Sequence, residues 1–339
     1  METLPTLWFI IIAFFWTGYL FLEGFDLGVG MLMRGFARNN TERRVLLNTV
    51  GPVWDGNEVW LVTAGAATFA AFPHWYASLF AGLYLPLVFV LLALIFRAVA
   101  FEYRGKMDSD RWRSVWDWAI VLGSLVAAFG VGAMLALTTT GLPLNANGDR
   151  VGGPFAWFNG YAVLGGLAVV LFCIVHAAAF LALKTAGDIR IRARKLLLRW
   201  LPIALLPLAL WAIAVVLAGG KSVTYVTLLL AVLGAAFAWI MARRERDGWS
   251  FGGLGVFLLA GTATIFTAVY PNVLPSTIDS AYNLTVSSAS SSDYTLGVMS
   301  VIAAFGIPAV LVYQGYTYWV FRKRVSASSI PAAHAVVPQ

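Results

Sequence analysis

Apolar runs of roughly 20 residues, the length that crosses a bilayer's hydrocarbon core, recur along this chain with short polar breaks between them. They fall at about residues 7–33, 52–73, 77–101, 116–140, 155–183, 199–219, 222–242, 251–272 and 294–321. The pattern predicts an all-α integral membrane protein with nine transmembrane helices. It forms a single polytopic domain over 1–324, followed by a small-residue tail, 325–339, expected to be disordered. Composition agrees: 60% of residues are apolar and 12% charged, against about 25% charged in soluble domains.

Charge fixes the expected orientation. Of the 23 basic residues, 20 lie in the connections after the odd-numbered segments and at the C-terminal end of the ninth. Arg150 and Lys221 stand in the even-numbered connections, and Arg97 lies inside the third segment. Because cytoplasmic loops carry the excess of Lys and Arg, the N-terminus is expected outside and the C-terminus in the cytoplasm. This sorting explains the net charge of +7 without nucleic acid as a partner. The N-terminus has no basic region before its apolar run and no small-residue cleavage site, so a cleaved signal peptide is not expected.

The candidate chemistry lies where polarity interrupts apolar runs. The stretch PVWDGNEVWLVTAGAATFAAFP carries Asp55, Asn57 and Glu58 in its first turns, with Trp54 and Trp60 on either side. An ionisable group at membrane depth costs roughly 2.5–3.5 kcal/mol on insertion scales, so these acids are expected to face protein or a wet cavity. Residues three apart share a helix face, which directs Asp55 and Glu58 toward one neighbour. The first segment carries Glu23 and Asp26 at the same spacing, and Arg97 and Glu102 lie near the cytoplasmic end of the third. At 1.5 Å per residue, the two acid pairs lie about 5–15 Å from the cytoplasmic face. Two readings follow with equal weight: a proton path entering from the cytoplasm, or Arg97 neutralising one acid while the others bond helices together.

His176, in CIVHAAAFLAL, is expected to bond between helices and not to ligate haem, since a low-spin haem needs two axial ligands and neither His74 nor His334 is placed to supply a second. Cys173 is the single cysteine, so no intramolecular disulfide forms. The small-residue runs GVGM, AGAATFAA and GVGAM predict close helix packing. The polar stretch from Asn272 to Asp293 is expected to be an outer loop, and Asn283 opens a weak sequon. No metal site, phosphate-cradling loop or catalytic triad is apparent.

Taken together, EGFDLGVGML, NTERRVLLNTVGPVWDGNEVWLVTAGAATFAAFPHWYA, FRAVAFEYRGK, YPNVLPS and SSDYTLGVMS resemble, in order, subunit II of the cytochrome bd quinol oxidases. The resemblance implies two four-helix bundles plus a peripheral helix in a multi-pass protein of the bacterial plasma membrane. It implies a heterodimer with subunit I, which carries haem b and haem d, oxidises quinol and reduces O2 to water. Small single-helix subunits and a structural quinone occur in the family. This chain is then expected to bind no cofactor itself and to contribute a proton path at the subunit interface.

In that path the family's WDGN aspartate is Asp55, with Glu23 and Asp26 as feeder or interface groups and Arg97 as a structural counter-charge. Relatives often have DGFD where this chain has EGFD, and Gln where it has Glu58, so Glu58 adds an acid that the family chemistry does not call for. The opposing classes are a proton-coupled secondary transporter and a purely structural accessory subunit. The prolines show no paired, broken-helix repeat of the kind transporters use.

Overall fold

The computed structural model describes residues 3–330. It is almost wholly helical: α1 (Thr3–Gly35), α2 (Asn40–Val50), α3 (Trp54–Ala71), α4 (Pro73–Gly82), α5 (Tyr84–Tyr103), α6 (Asp110–Thr140), α7 (Gly160–Lys184), α8 (Gly187–Ala204), α9 (Leu206–Gly219), α10 (Ser222–Arg243), α11 (Asp247–Val269) and α12 (Asp293–Val320). Among the described residues, eight helices are long and apolar enough to cross a membrane: α1, α5, α6, α7, the rod formed by α8 and α9, α10, α11 and α12. The segment at 52–73 forms α3, 18 residues long; it is not among those eight, and its first turn carries Asp55.

The boundaries follow local chemistry. Asn159 accepts from the Ala162 N–H at 3.0 Å and starts α7, several residues later than the apolar run at 155 suggests. The run at 77–101 is split at Leu83 into α4 and α5. Pro202 inside α8 lacks the N–H that would bond the Leu198 carbonyl, and the indole N–H of Trp239 on α10 donates to that oxygen at 3.2 Å. A helix break thus becomes a tie between helices.

Helix α1 is central, packing against α3, α6, α7, α11 and α12. Its glycines permit the approach: a Cβ at Gly28 would overlap the carbonyl oxygen of Cys173 on α7. Gly132 on α6 and Gly165 on α7 each meet the other's backbone in the same way, so the GVGM and GVGAM runs pack as close-contact seams. The other extreme is α12, whose buried residues are Leu296 and Gln314.

The connection between α11 and α12 folds back on its own chain. Strands β1 (Asn272–Leu274) and β2 (Leu284–Thr285) pair antiparallel, and Asn283 accepts from the Ser276 N–H at 2.8 Å. Leu142 N–H donates to Pro275 O at 3.1 Å, and Ser291 N–H to Ala71 O at 2.8 Å, which ties the loop to the ends of α6 and α3. At the opposite end, Val325 bridges to Thr185 and donates to Lys184 O at 2.8 Å. The start of the stretch assigned by sequence to the tail therefore packs on the end of α7 at Val325 and on α2 at residues 327–329; the rest of that tail, 331–339, and His334 lie outside the described residues.

Candidate functional site: a buried charged cluster

Four helices bring their polar positions together. Arg97 of α5 is fully buried, as are Glu23 and Asp26 of α1. One guanidinium nitrogen of Arg97, Nη1, lies 2.8 Å from Glu23 Oε1 and 3.4 Å from Glu58 Oε2 of α3. The cation therefore joins α5 to two acids on two helices, more than the single pairing of the counter-charge reading. The Arg97 Cζ also lies 5.1 Å from the Phe101 ring centroid, and that ring meets Trp54 at 5.0 Å.

Asn57 is the second hub. Its amide N–H donates to Asp26 Oδ2 at 2.6 Å, and its carbonyl oxygen accepts from Gln314 Nε2 at 2.9 Å and from the Tyr318 hydroxyl at 2.8 Å. A neutral amide can do this because it carries both donors and an acceptor. It links α3 to α1 and to α12, supplying two of the few polar ties that the peripheral helix makes.

The acids predicted to share a face do not share an environment. Asp55 is exposed, whereas Glu58 is half-buried against Arg97. Positions three apart on a helix differ by about 60° in direction, enough to put one carboxylate on the surface and the other into the seam. Trp54 and Trp60 likewise diverge: Trp54 packs on Phe101, and Trp60 packs edge-on against Phe14 and Phe15 of α1. Glu102 is exposed at the end of α5, on a different face from Arg97.

His176 bonds from Nε2 to Phe21 O at 2.9 Å, between helices as expected. Its ring is stacked against Phe172 and Phe251, at 5.0 Å and 4.8 Å. Its other ring nitrogen, Nδ1, is buried without a hydrogen-bond partner, and His74 is exposed in α4. Among the described residues, no cluster of His, Cys, Asp and Glu has the arrangement to hold a metal ion.

Sequence reasoning missed three participants. Gln314 and Tyr318 sit in an apolar helix remote in sequence; their signal was a lone amide and a phenol one turn apart. Asp117, fully buried at the start of α6, pairs with Arg104 at 2.6 Å and Arg43 at 3.2 Å. This forms a second charged cluster at the basic end of the protein, and Arg104 also donates to Asn40 Oδ1 at 2.8 Å.

A polytopic helical membrane protein with a buried, multi-helix acid–arginine cluster is the class these features define. The family described as cytochrome bd terminal oxidase subunit II matches residues 4–321, and the chain belongs to it. It is 43% identical over 331 residues to the cytochrome bd ubiquinol oxidase subunit 2 of Bacillus subtilis strain 168, covering 96% of this chain and 98% of that protein. It is 32% identical over 367 residues to the cytochrome bd-I ubiquinol oxidase subunit 2 of Escherichia coli K12, covering 97% of each. The fold is similar to a chain in the structure of bd oxidase from Geobacillus thermodenitrificans, with a TM-score of 0.77 at 19% identity, over 94% of this chain and 97% of that one. The chain is thus a multi-pass protein of a bacterial membrane, and its relatives are subunits of an oxidoreductase complex.

Proposed function

We propose that this chain is the subunit of a quinol:oxygen oxidoreductase that carries protons, while a partner subunit I holds haem b and haem d and performs the redox chemistry. In this reading quinol is oxidised and O2 reduced to water in the partner. The protons consumed come from the cytoplasm along the face this chain presents to it.

The observation that supports this most is the succession of carboxylates from surface to interior: Asp55 exposed at the start of α3, Glu58 at the Arg97 guanidinium, Glu23 on the same nitrogen, and Asp26 held by Asn57. Asp55 takes up the proton at the partner-facing surface. Glu58, Glu23 and Asp26 form the inner relay, passing protons between their carboxyl groups, and Arg97 offsets the charge of a carboxylate that has given its proton on.

The topology belongs to the same proposal. With α3 read as the ninth span, the helices form two groups of four plus peripheral α12, the N-terminus lies outside, and the basic ends of α5, α7, α10 and α12 face the cytoplasm. Small single-helix subunits and a structural quinone rest on the family resemblance alone.

The test is Asp55→Asn in the assembled complex, read by O2 consumption and by reduced-minus-oxidised spectra. Because asparagine matches aspartate in size and shape and removes only the titratable proton, assembly and haem content are expected to stay normal while O2 consumption falls severalfold. Unchanged consumption with normal haem would remove Asp55 from the path. The same spectrum taken on this chain alone is expected to be free of haem bands.

A further inference from the structure

The outward face of α1 and α11 carries a lateral groove of about 520 Å³, lined among others by Phe9, Phe14, Leu259 and Phe266 and closed at one end by Thr6 and Tyr270. It is open at the surface of this chain: Ile10 and Leu259 on its walls are each 59% exposed. From Thr6 to Thr17 the groove follows α1 for about 16 Å, close to half the ~30 Å hydrocarbon core and hence to the depth of one leaflet.

Its closed end is polar and positive. The hydroxyls of Thr6 and Tyr270 lie 3.1 Å apart. The ammonium of Lys221 sits 4.7 Å from the centroid of the same Tyr270 ring and donates to Tyr270 O at 2.7 Å. An ammonium has three donors, so this one can also serve an anion at that end of the groove. Lys221 and Arg150 are the only basic residues in the even-numbered connections, so positive-inside sorting does not explain a lysine at this point.

The geometry points to a specific phospholipid site, with one acyl chain lying in the groove between α1 and α11 and its phosphate against Lys221. A leaflet-deep apolar channel takes the chain, and the ammonium and the hydroxyls at that end donate to the phosphate oxygens. Such a lipid would seal the seam between α1 and α11 on the side where α12 does not cover it. A second groove of about 430 Å³ shares Phe14, Thr17 and Leu259 and runs on to Gln314 and Tyr318, so a longer tail would have room past the leaflet's depth. The site is independent of the proton path, and its test does not depend on that reading.

The experiment titrates palmitoyl-oleoyl-phosphatidylglycerol into the delipidated complex and counts bound lipid by native mass spectrometry. The wild type is expected to retain one tightly held phosphatidylglycerol, and to hold phosphatidylglycerol and not phosphatidylcholine through detergent exchange. Lys221→Gln is expected to weaken it about five-fold, the effect of one basic residue at an anionic headgroup. Ala263→Phe, which fills the groove, is expected to abolish it. Equal retention in the wild type and both variants would mean annular lipid only and would overturn the site. Retention indifferent to Lys221→Gln, or a retained isoprenoid without phosphate, would overturn the headgroup assignment. If Ala263→Phe fails to assemble, the exposed Lys221→Gln variant decides alone.

Discussion

Asn57 donates its side-chain N–H to Asp26 at 2.6 Å, and that bond joins α3 to α1 inside a seam where neither residue reaches solvent. The asparagine, and not the flanking acids Asp55 and Glu58, is the residue around which the polar cluster is built.

Replacing Asn57 with Leu removes the partner of Asp26, Gln314 and Tyr318 at once. Each buried polar group left unpaired costs about 1–3 kcal/mol. A lowered melting temperature is expected, together with faster proteolysis near α12, because Gln314 and Tyr318 anchor that sparsely buried helix. Limited trypsin digestion followed by mass mapping checks the second effect.

Arg97→Gln leaves Glu23 buried without its cation, a change that costs about 3–5 kcal/mol when a buried pair is broken from one side. The double variant Arg97→Gln with Glu23→Gln is expected to recover much of that loss, since it removes the stranded charge as well. A double-mutant cycle on thermal unfolding of the complex reads the coupling; strictly additive losses would show that the pair is not coupled.

Gly28→Ala forces a methyl group into the backbone carbonyl of Cys173. Because backbone cannot swing aside like a flexible side chain, α1 and α7 must separate, at a cost of about 1–3 kcal/mol. Gly261→Ala on α11, where an added Cβ meets nothing within 4 Å, is expected to be neutral or slightly stabilising. The contrast in melting temperature between the two variants is the measurement.

Glu42, in the first turn of α2, gives a pH signature outside the spans. Burial alone would raise its pKa. The Arg38 backbone N–H at 2.8 Å and the Arg192 guanidinium at 2.7 Å outweigh burial and hold it below the ordinary value of 4.5. A carboxylate with a depressed folded-state pKa stabilises the fold above its unfolded pKa and loses that contribution as pH falls through the folded value. Glu42→Gln is therefore expected to be less stable than wild type near neutrality, with the two converging in acid. Melting curves taken across that range check the sign.

Eight of the nine expected spans, the sorting of basic residues and the polar interruptions at Glu23, Asp26, Asp55, Glu58 and Arg97 could be read from the chain, because a membrane imposes its constraint locally. A run either is apolar enough to leave water or it is not. The family blocks, from EGFDLGVGML to SSDYTLGVMS, are likewise contiguous strings. The expectation that His176 bonds between helices came from the lack of a second ligand, and its bond to Phe21 agrees.

Partner choice was decided by tertiary structure alone. Helical periodicity gives direction only to about a quarter of a turn, too coarse to say that Asp55 would face outward while Glu58, about 60° away, met Arg97. Nor could it say that Gln314 and Tyr318, more than 250 residues from Asn57, would converge on it. Those contacts depend on how closely α1 approaches α7 and α6 at its glycines and on where α12 lands. These are properties of packed surfaces, and no single segment carries them.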